Sequence, residues 1–264
     1  MNLLEVKDLS ISFGGLKAVQ NVSFSVPKGK IVSVIGPNGA GKTTIFNMLT
    51  GFYRPDGGSI LLDGTEMVGK KSYEFISCGI ARTFQNIRLY PQLTVLENVL
   101  IGYQCQLQQT LWDALLCTPR KRRTESEALD LARAALDEIH LLHYENERCV
   151  NLPYGKQKVL EIARALMSQP KLLFLDEPAA GLNPQETKEL SEYIQSLTGK
   201  GFTVVLIEHD LRLVMGISDY VNVIDHGVKI AEGTPAEIQK NPDVITAYIG
   251  KGGAQRNASG NQST

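Results

Sequence analysis

The chain has 264 residues, 43% of them hydrophobic, and its 27 Lys and Arg against 28 Asp and Glu leave a net charge of −1. That size supports one large domain or a main body with a smaller lobe, and the balanced charge gives no ground for nucleic-acid binding. Cys78, Cys105, Cys117 and Cys149 lack metal-ligand spacing, no apolar run is long enough to span a bilayer, and the opening "MNLLEVKDLS" carries charges where a secretory segment would be apolar.

Residues 1–35 are predicted to be strands: "LLEVKDLSISF" alternates roughly, "NVSFSV" cleanly, and "KIVSVIG" is a short buried run after the turn "PKG". "GKTTIFNMLTG" follows as a helix ended by Gly51, and "RPDGGS" turns into the strand "ILLDG". From Leu93 to about Met167 the pattern is helical, in "TVLENVLIGY" and in "RRTESEALDLARAALDEIHLL", where Thr124 and Glu127 have capping-box spacing. The segment between them, "QCQLQQTLWDALLCTP", fits a short helix with loops. "PRKRR" at 119–123 is either a solvated helix start or a contact for a partner or lipid headgroups. In "LPYGKQKVLEIARAL", Val159, Leu160, Ile162, Ala163 and Leu166 form an apolar stripe expected to pack this helical lobe.

Strands then alternate with helices again. "KLLFLDEP", "FTVVLIEHD" and "YVNVIDHG" are buried strands; "NPQETKELSEYIQSLTGKG", with Pro184 in its first turn, and "LRLVMGIS" are helices. "VKIAEG" pairs back through a turn at Gly227, short helices follow in "TPAEIQKNPDVITAYIG", and the polar, Gly-rich tail at 251–264 is predicted to be disordered. The expected fold is α/β, a mostly parallel sheet with helices on its faces and a helical lobe inserted.

The chemistry starts at "GPNGAGKT", Gly36–Thr43, which matches the phosphate-binding loop pattern in full, with a strand before it and a helix after it. Its glycines let the backbone wrap an anion, and the amides of 39–43 can point at a β-phosphate at the helix N-terminus. Lys42 would neutralise the β- and γ-phosphates and the Thr43 hydroxyl would ligate Mg2+. In "LLFLDEP", Asp176 and Glu177 emerge at the C-terminal end of a strand, where open α/β sheets bind ligands. Asp176 can hold Mg2+, and Glu177 can take a proton from an attacking water. His209, after the strand "TVVLIE", is either structural or a group that reaches the γ-phosphate. The Gln85 amide could touch Mg2+ or the water.

These motifs, "GPNGAGKT", "TFQN", "LPYGKQ", "LLFLDEP", "AAGLNP" and "LIEHD" in that order, resemble the nucleotide-binding subunit of an ABC transporter over residues 4 to about 249. Within that family, "FGGLKAV", "NMLTGFYRPDGGSI", "GIARTFQNIRLY", "IEHDLRLVMGISD" and "NPDVITAYIG" are similar to the subunits that serve branched-chain amino acid import. The resemblance implies a P-loop ATPase core with an N-terminal antiparallel β subdomain in residues 1–92, a helical signature subdomain in 93–167, and the rest of the core in 168–250. It implies ATP and Mg2+ as cofactors. Phe13 would stack on adenine and Val19 would pack near it. Gly36, Pro37, Asn38, Gly39, Ala40, Gly41, Lys42, Thr43 and Thr44 would hold the nucleotide. Thr43, Gln85 and Asp176 would serve the metal, Glu177 would be the general base, and His209 the switch histidine, with Gln85 and Lys42 completing the catalytic set.

Such domains work in head-to-tail pairs, so Leu152, Pro153, Tyr154, Gly155, Lys156 and Gln157 would face ATP held by a partner, and Ala180, Gly181, Leu182 and Asn183 would cross the interface. Two departures from the family pattern stand out: Pro153 replaces the signature serine, and Asn183 stands where Asp is frequent. The implied partners are two integral-membrane permease subunits and a second related ATPase, a heterodimer in preference to a homodimer. A solute-binding protein would act indirectly, and no nucleic acid is implied. The implied location is the cytoplasmic face of the membrane, as a peripheral subunit. An importer or exporter motor for another small solute, and a soluble ABC ATPase acting on nucleic acid or ribosomes, are the alternative functions.

Overall fold

A computed structural model of the chain describes residues 1–104 and 119–249. β1 (Asn2–Phe13) and β2 (Leu16–Pro27) form a long antiparallel hairpin whose alternating Leu4, Val6, Val22, Phe24 and Val26 are buried. β3 (Ile31–Ile35), all five residues buried, leads through a loop into α1 (Lys42–Leu49). β4 (Gly57–Leu62) and β5 (Thr65–Glu66) extend the hairpin into a four-stranded sheet of order β2-β1-β4-β5. A short α2 (Ser72–Ser77) precedes β6 (Ile80–Arg82).

Helices follow: α3 (Val95–Tyr103), α4 (Pro119–Glu138) and α5 (Tyr154–Leu166). Then come β7 (Leu172–Asp176), α6 (Pro184–Gly199), β8 (Thr203–Ile207), α7 (Leu211–Ile217), β9 (Tyr220–Asp225), β10 (Val228–Gly233), α8 (Pro235–Ile238) and α9 (Pro242–Ile249). The main sheet has the order β10-β9-β3-β8-β7-β6, parallel except for β10. β3, β8 and β7 as far as Leu175 are continuous apolar or small-residue runs because both of their faces are covered.

Alternation within those strands divides the core. Val32, Val34, Phe174, Val205 and Ile207 face α1 and the antiparallel sheet; Phe46 of α1 meets Phe174 edge-on at 5.0 Å. Ile31, Ile35, Leu173, Leu175, Val204 and Leu206 face Leu190, Ile194 and Leu197 of α6 and Val214 of α7. A separate cluster joins Val95 and Val99 of α3, Ala132 and Leu136 of α4, Leu152 and Leu160.

Two sequence expectations are corrected here. The stripe on α5 does not pack the helical lobe alone: Leu160 joins the α3–α4 cluster, whereas Ile162, Val159 and Leu166 pack on the main-sheet core. The helix lies between two bodies and is therefore apolar on two sides. Thr124 does not cap a helix, because α4 already begins at Pro119, whose missing N–H costs nothing in a first turn. Arg123 instead pairs with Glu127 one turn on, at 2.9 Å and in solvent. The rest of the basic run's side chains (119–122), the segment 105–118 with Cys105 and Cys117, and the tail 251–264 lie outside the described residues. Among those described, no helix is long and apolar enough to cross a membrane.

Candidate functional site

The loop Gly36–Gly41 joins the buried end of β3 to α1. Gly41 has φ +101°, and a Cβ there would stand 2.7 Å from the Ala18 carbonyl oxygen of β2. Only glycine fits so close an approach. The loop is further fastened by Gly227 N–H donating to Ala40 O at 2.9 Å, while Gln20 N–H donates to Gly227 O at 2.8 Å. The hairpin, the β9–β10 turn and the loop are thus locked together. α1 has no side-chain cap and no acidic residue in its first turn, so its positive end is left for an anion. Asn38, Gly39 and Thr43 are exposed at this mouth, Pro37 and Thr44 are half-buried, and Ala40 is buried.

Lys42 lies over its own loop, 6% exposed, with Nζ donating to Gly36 O at 2.8 Å and Pro37 O at 2.9 Å. Burial pulls its pKa below the ordinary lysine value, and the nearby Glu177 charge partly opposes that. A phosphate anion would offer it a stronger acceptor than two carbonyls.

Strand order brings the acidic and polar groups together. β8 runs between β3 and β7, so the residues after β7 and β8 emerge side by side next to the loop. Glu177 adopts φ +45°, uncommon for a side-chain-bearing residue, held by its N–H donating to Ile207 O at 2.9 Å. Its Oε2 accepts from Gln85 Nε2 at 2.8 Å, and His209 Nδ1 stands 3.7 Å from the same oxygen. That last gap is too long for a hydrogen bond but short enough for a small rotation to close it. Asp176 is buried, and its Oδ2 accepts from Arg82 at 2.8 Å.

Sequence reasoning missed six contributors. Glu208 is fully buried and accepts the amides of Ala179 at 2.9 Å and His209 at 3.0 Å, tying the loops after β7 and β8 together. Burial raises its pKa. Lys158, 2% exposed, reaches from α5 to donate to Gln85 O at 2.6 Å. Glu161 accepts from Arg88 N–H at 3.1 Å, and Arg164 donates to Arg88 O. Charges at 158, 161 and 164 recur on one side of an otherwise apolar helix, and that spacing was the available signal. Arg82 is the fifth. The sixth, Tyr53, meets Phe13 edge-on at 5.3 Å.

Phe13 is 44% exposed at the end of β1, open to a flat ligand. Val19 is not: it is 1% exposed, and its methyl lies 3.6 Å from where a Gly41 Cβ would be. The irregular β1–β2 register turns it beneath the loop, so it backs the glycines instead of presenting a surface to a base.

The segment 152–157 opens α5. Leu152 is buried in the helical cluster, Pro153 and Tyr154 are exposed, and Lys156 and Gln157 are half-buried. Pro153 is the N-cap and no side chain caps the helix. A Cβ on Gly155 would stand 2.7 Å from Glu186 Oε1, and one on Gly181 would stand 3.2 Å from the Tyr154 ring. The structure therefore packs 152–157 against 180–183 and the start of α6. Asn183 spends its side-chain oxygen on its own helix, accepting from Gln185 N–H at 2.9 Å and Glu186 N–H at 3.0 Å. Ala180 and Leu182 are half-buried beside it, and Gly181 and Asn183 are exposed.

The donor set suits a magnesium ion. With Oδ2 on Arg82, Asp176 has its second oxygen left; with Nε2 on Glu177, Gln85 has its side-chain Oε1 left; Thr43 offers an exposed hydroxyl. All are hard oxygens. No cluster of three or more His, Cys, Asp or Glu able to hold a metal exists among the described residues, so phosphate and water would supply the remaining ligands.

The "ABC transporter" family matches residues 19–180, and the "Branched-chain amino acid ATP-binding cassette transporter" family matches residues 228–254. Over 250 residues the chain is 52% identical to the high-affinity branched-chain amino acid transport ATP-binding protein LivG of Salmonella typhimurium, covering 94% of this chain and 98% of that one. It is 49% identical to BraF of Pseudomonas aeruginosa, a protein of the same description, over the same shares. Among solved structures, the ADP conformation of MJ1267, an ATP-binding cassette of an ABC transporter, superposes with a TM-score of 0.83 at 34% identity, covering 95% of this chain and all of that one.

Proposed function

This chain belongs to the family of ABC transporter ATP-binding subunits, closely related to the branched-chain amino acid importers, and on that premise we propose that it is the ATP-hydrolysing subunit of an importer for branched-chain, hydrophobic amino acids. The observation that carries the catalytic part is the convergence of Gln85 and His209 on one oxygen of Glu177, beside the phosphate loop.

In this reading Phe13 stacks on adenine. The amides of Gly39–Thr43 and the Lys42 ammonium hold the phosphates, with Lys42 exchanging two loop carbonyls for phosphate oxygens. Bound Mg2+ would neutralise phosphate charge, held by Thr43, Asp176 and Gln85. Glu177 accepts the proton of the attacking water, and His209 orients on the γ-phosphate. Gln85 would offer its Oε1 to the metal, and release of its Nε2 from Glu177 would leave the base open to the attacking water.

Residues 93–167 serve as the helical lobe between core segments 1–92 and 168–250. Closure of a head-to-tail pair sets 152–157 of one chain on ATP held by the other. The uncapped start of α5 supplies amides where Pro153 supplies no hydroxyl. Loss of phosphate removes that contact and the pair reopens. The partners are two permease subunits and a second ATPase chain, with a solute-binding protein acting on the far side of the membrane. The subunit sits peripherally on the cytoplasmic face.

Isolation of the tagged chain from its native membrane tests this. Co-purification of two permease chains and a second, different ATPase is the expected result. Association with ribosomes or nucleic acid, and no membrane chain, would overturn it.

A further inference from the structure

Arg82 is the last residue of β6, the edge strand of the main sheet. Its guanidinium joins three elements. NH1 donates to Asn47 Oδ1 at 2.8 Å and to Thr50 Oγ1 at 2.9 Å, both at the end of α1. NH2 donates to Asp176 Oδ2 at 2.8 Å at the end of β7. Rings surround the cation, with its carbon 5.3 Å from the centroids of Phe46 and Phe52 and 5.0 Å from that of Phe84. The Arg82 and Asp176 side chains are only 9% and 8% exposed.

An exposed ion pair would fix nothing. This one is enclosed by aromatic rings, and its fork is held at both ends. Lysine could supply the charge but neither the planar fork nor the stacking. The consequence falls on Asp176. With Oδ2 committed, its carboxylate cannot turn freely, and its other oxygen has a set direction. The same guanidinium is bonded to the helix that begins with Lys42 and Thr43, and Gln85 lies three residues further along the chain.

We infer that Arg82 is a positioning residue for the divalent cation: it orients the Asp176 carboxylate and fastens it to α1, so that Asp176 and Thr43 meet one ion from fixed positions. This rests on the reading of Asp176 as the magnesium carboxylate. Residues that orient a metal ligand through a hydrogen bond change metal affinity by roughly 10- to 100-fold when altered.

The test uses the full-length chain with Mn2+ as probe, titrated by EPR in the presence of a non-hydrolysable ATP analogue. Binding of the analogue in EDTA and thermal unfolding are measured alongside. Arg82→Lys should weaken Mn2+ binding about tenfold and leave analogue binding in EDTA unchanged, and Asp176→Asn should weaken Mn2+ binding as well. Unchanged Mn2+ affinity in Arg82→Lys, with Asp176→Asn impaired, would reduce Arg82 to a stabilising role and overturn the inference. Unchanged affinity in Asp176→Asn would overturn the reading beneath it. Should Arg82→Lys fail to fold, Asn47→Ala with Thr50→Val removes the α1 anchors and leaves Arg82 in place. A smaller loss in Mn2+ affinity supports the inference there, and none overturns it.

Discussion

The Gln85 side chain donates to Glu177 Oε2 at 2.8 Å, while the Gln85 carbonyl accepts from Lys158 Nζ at 2.6 Å. One residue is therefore held by the Glu177 carboxylate at one end and by α5 at the other. Lys158 thus fixes the Gln85 backbone to α5 while the Gln85 side chain faces Glu177. α5 in turn packs both on the main sheet and on the α3–α4 cluster.

Lys158→Met removes that hold. It leaves the Gln85 carbonyl without its donor and removes one of the two cations near Glu161, Arg164 remaining at 3.7 Å, at a cost of about 1–3 kcal/mol in stability. ATP binding should persist, because the phosphate loop is untouched. Turnover should fall by roughly tenfold to a hundredfold through misplacement of Gln85, and Lys158→Arg should restore part of it. Equal turnover in Lys158→Met and wild type, by phosphate release, would show that the link is not used.

Gly155→Ala places a methyl 2.7 Å from Glu186 Oε1. Glu186 cannot swing away freely, since its Oε2 accepts from Asn183 N–H at 3.0 Å in the cap of α6. The variant should lose about 1–3 kcal/mol by chemical denaturation. Combining it with Glu186→Ala should cost less than the sum of the two single changes. Strict additivity would mean that the clash is relieved elsewhere.

Pro153 leaves the start of α5 uncapped. Its extended backbone, φ −51° and ψ 148°, is one that serine adopts at an N-cap. Pro153→Ser should therefore stabilise the chain by about 0.5–1 kcal/mol. In the assembled pair it should also add a hydroxyl toward the partner's phosphate and lower the ATP concentration needed for closure. A drop in melting temperature would contradict the cap assignment.

Lys42 is poised for a pH test. Burial lowers its pKa below 10.5, so the folded chain loses this proton at a lower pH than the unfolded chain does. Between the two values the unfolded state binds more protons, and this group makes stability rise with pH. The charge that attracts phosphate disappears over the same window. Affinity for a fluorescent ATP analogue should fall as pH rises toward the ordinary lysine value of 10.5, before the unfolded chain would lose the same proton. A flat profile would show that Lys42 stays charged throughout.

How much was legible follows from where each signal resides. The phosphate loop is contiguous, and its glycines, lysine and flanking strand and helix are all local. Asp176 and Glu177 stand out because two acids end a buried apolar strand. Glu208 ends one too, but its importance depends on β8 lying beside β7, which local pattern does not state. Lys158 and Gln85 are 73 residues apart, and only the packing of α5 brings them together. Val19 went the other way: the family resemblance implied a place near the base, whereas the side chain is buried beneath the loop glycines. Asn183 shows both: the turn before α6 is plain in "NPQE", yet its use as the helix's own cap emerges only from the hydrogen bonds.

In the proposed function, hydrolysis driven by Glu177 powers amino acid import. The most direct measurement is uptake of labelled leucine into proteoliposomes holding the complete transporter, with ATP on the side of this subunit. Wild type should accumulate leucine and release phosphate in step. Glu177→Gln should bind ATP with affinity close to wild type, lose turnover by roughly 10²- to 10⁴-fold, and take up none. Sustained uptake and phosphate release by Glu177→Gln would contradict the account.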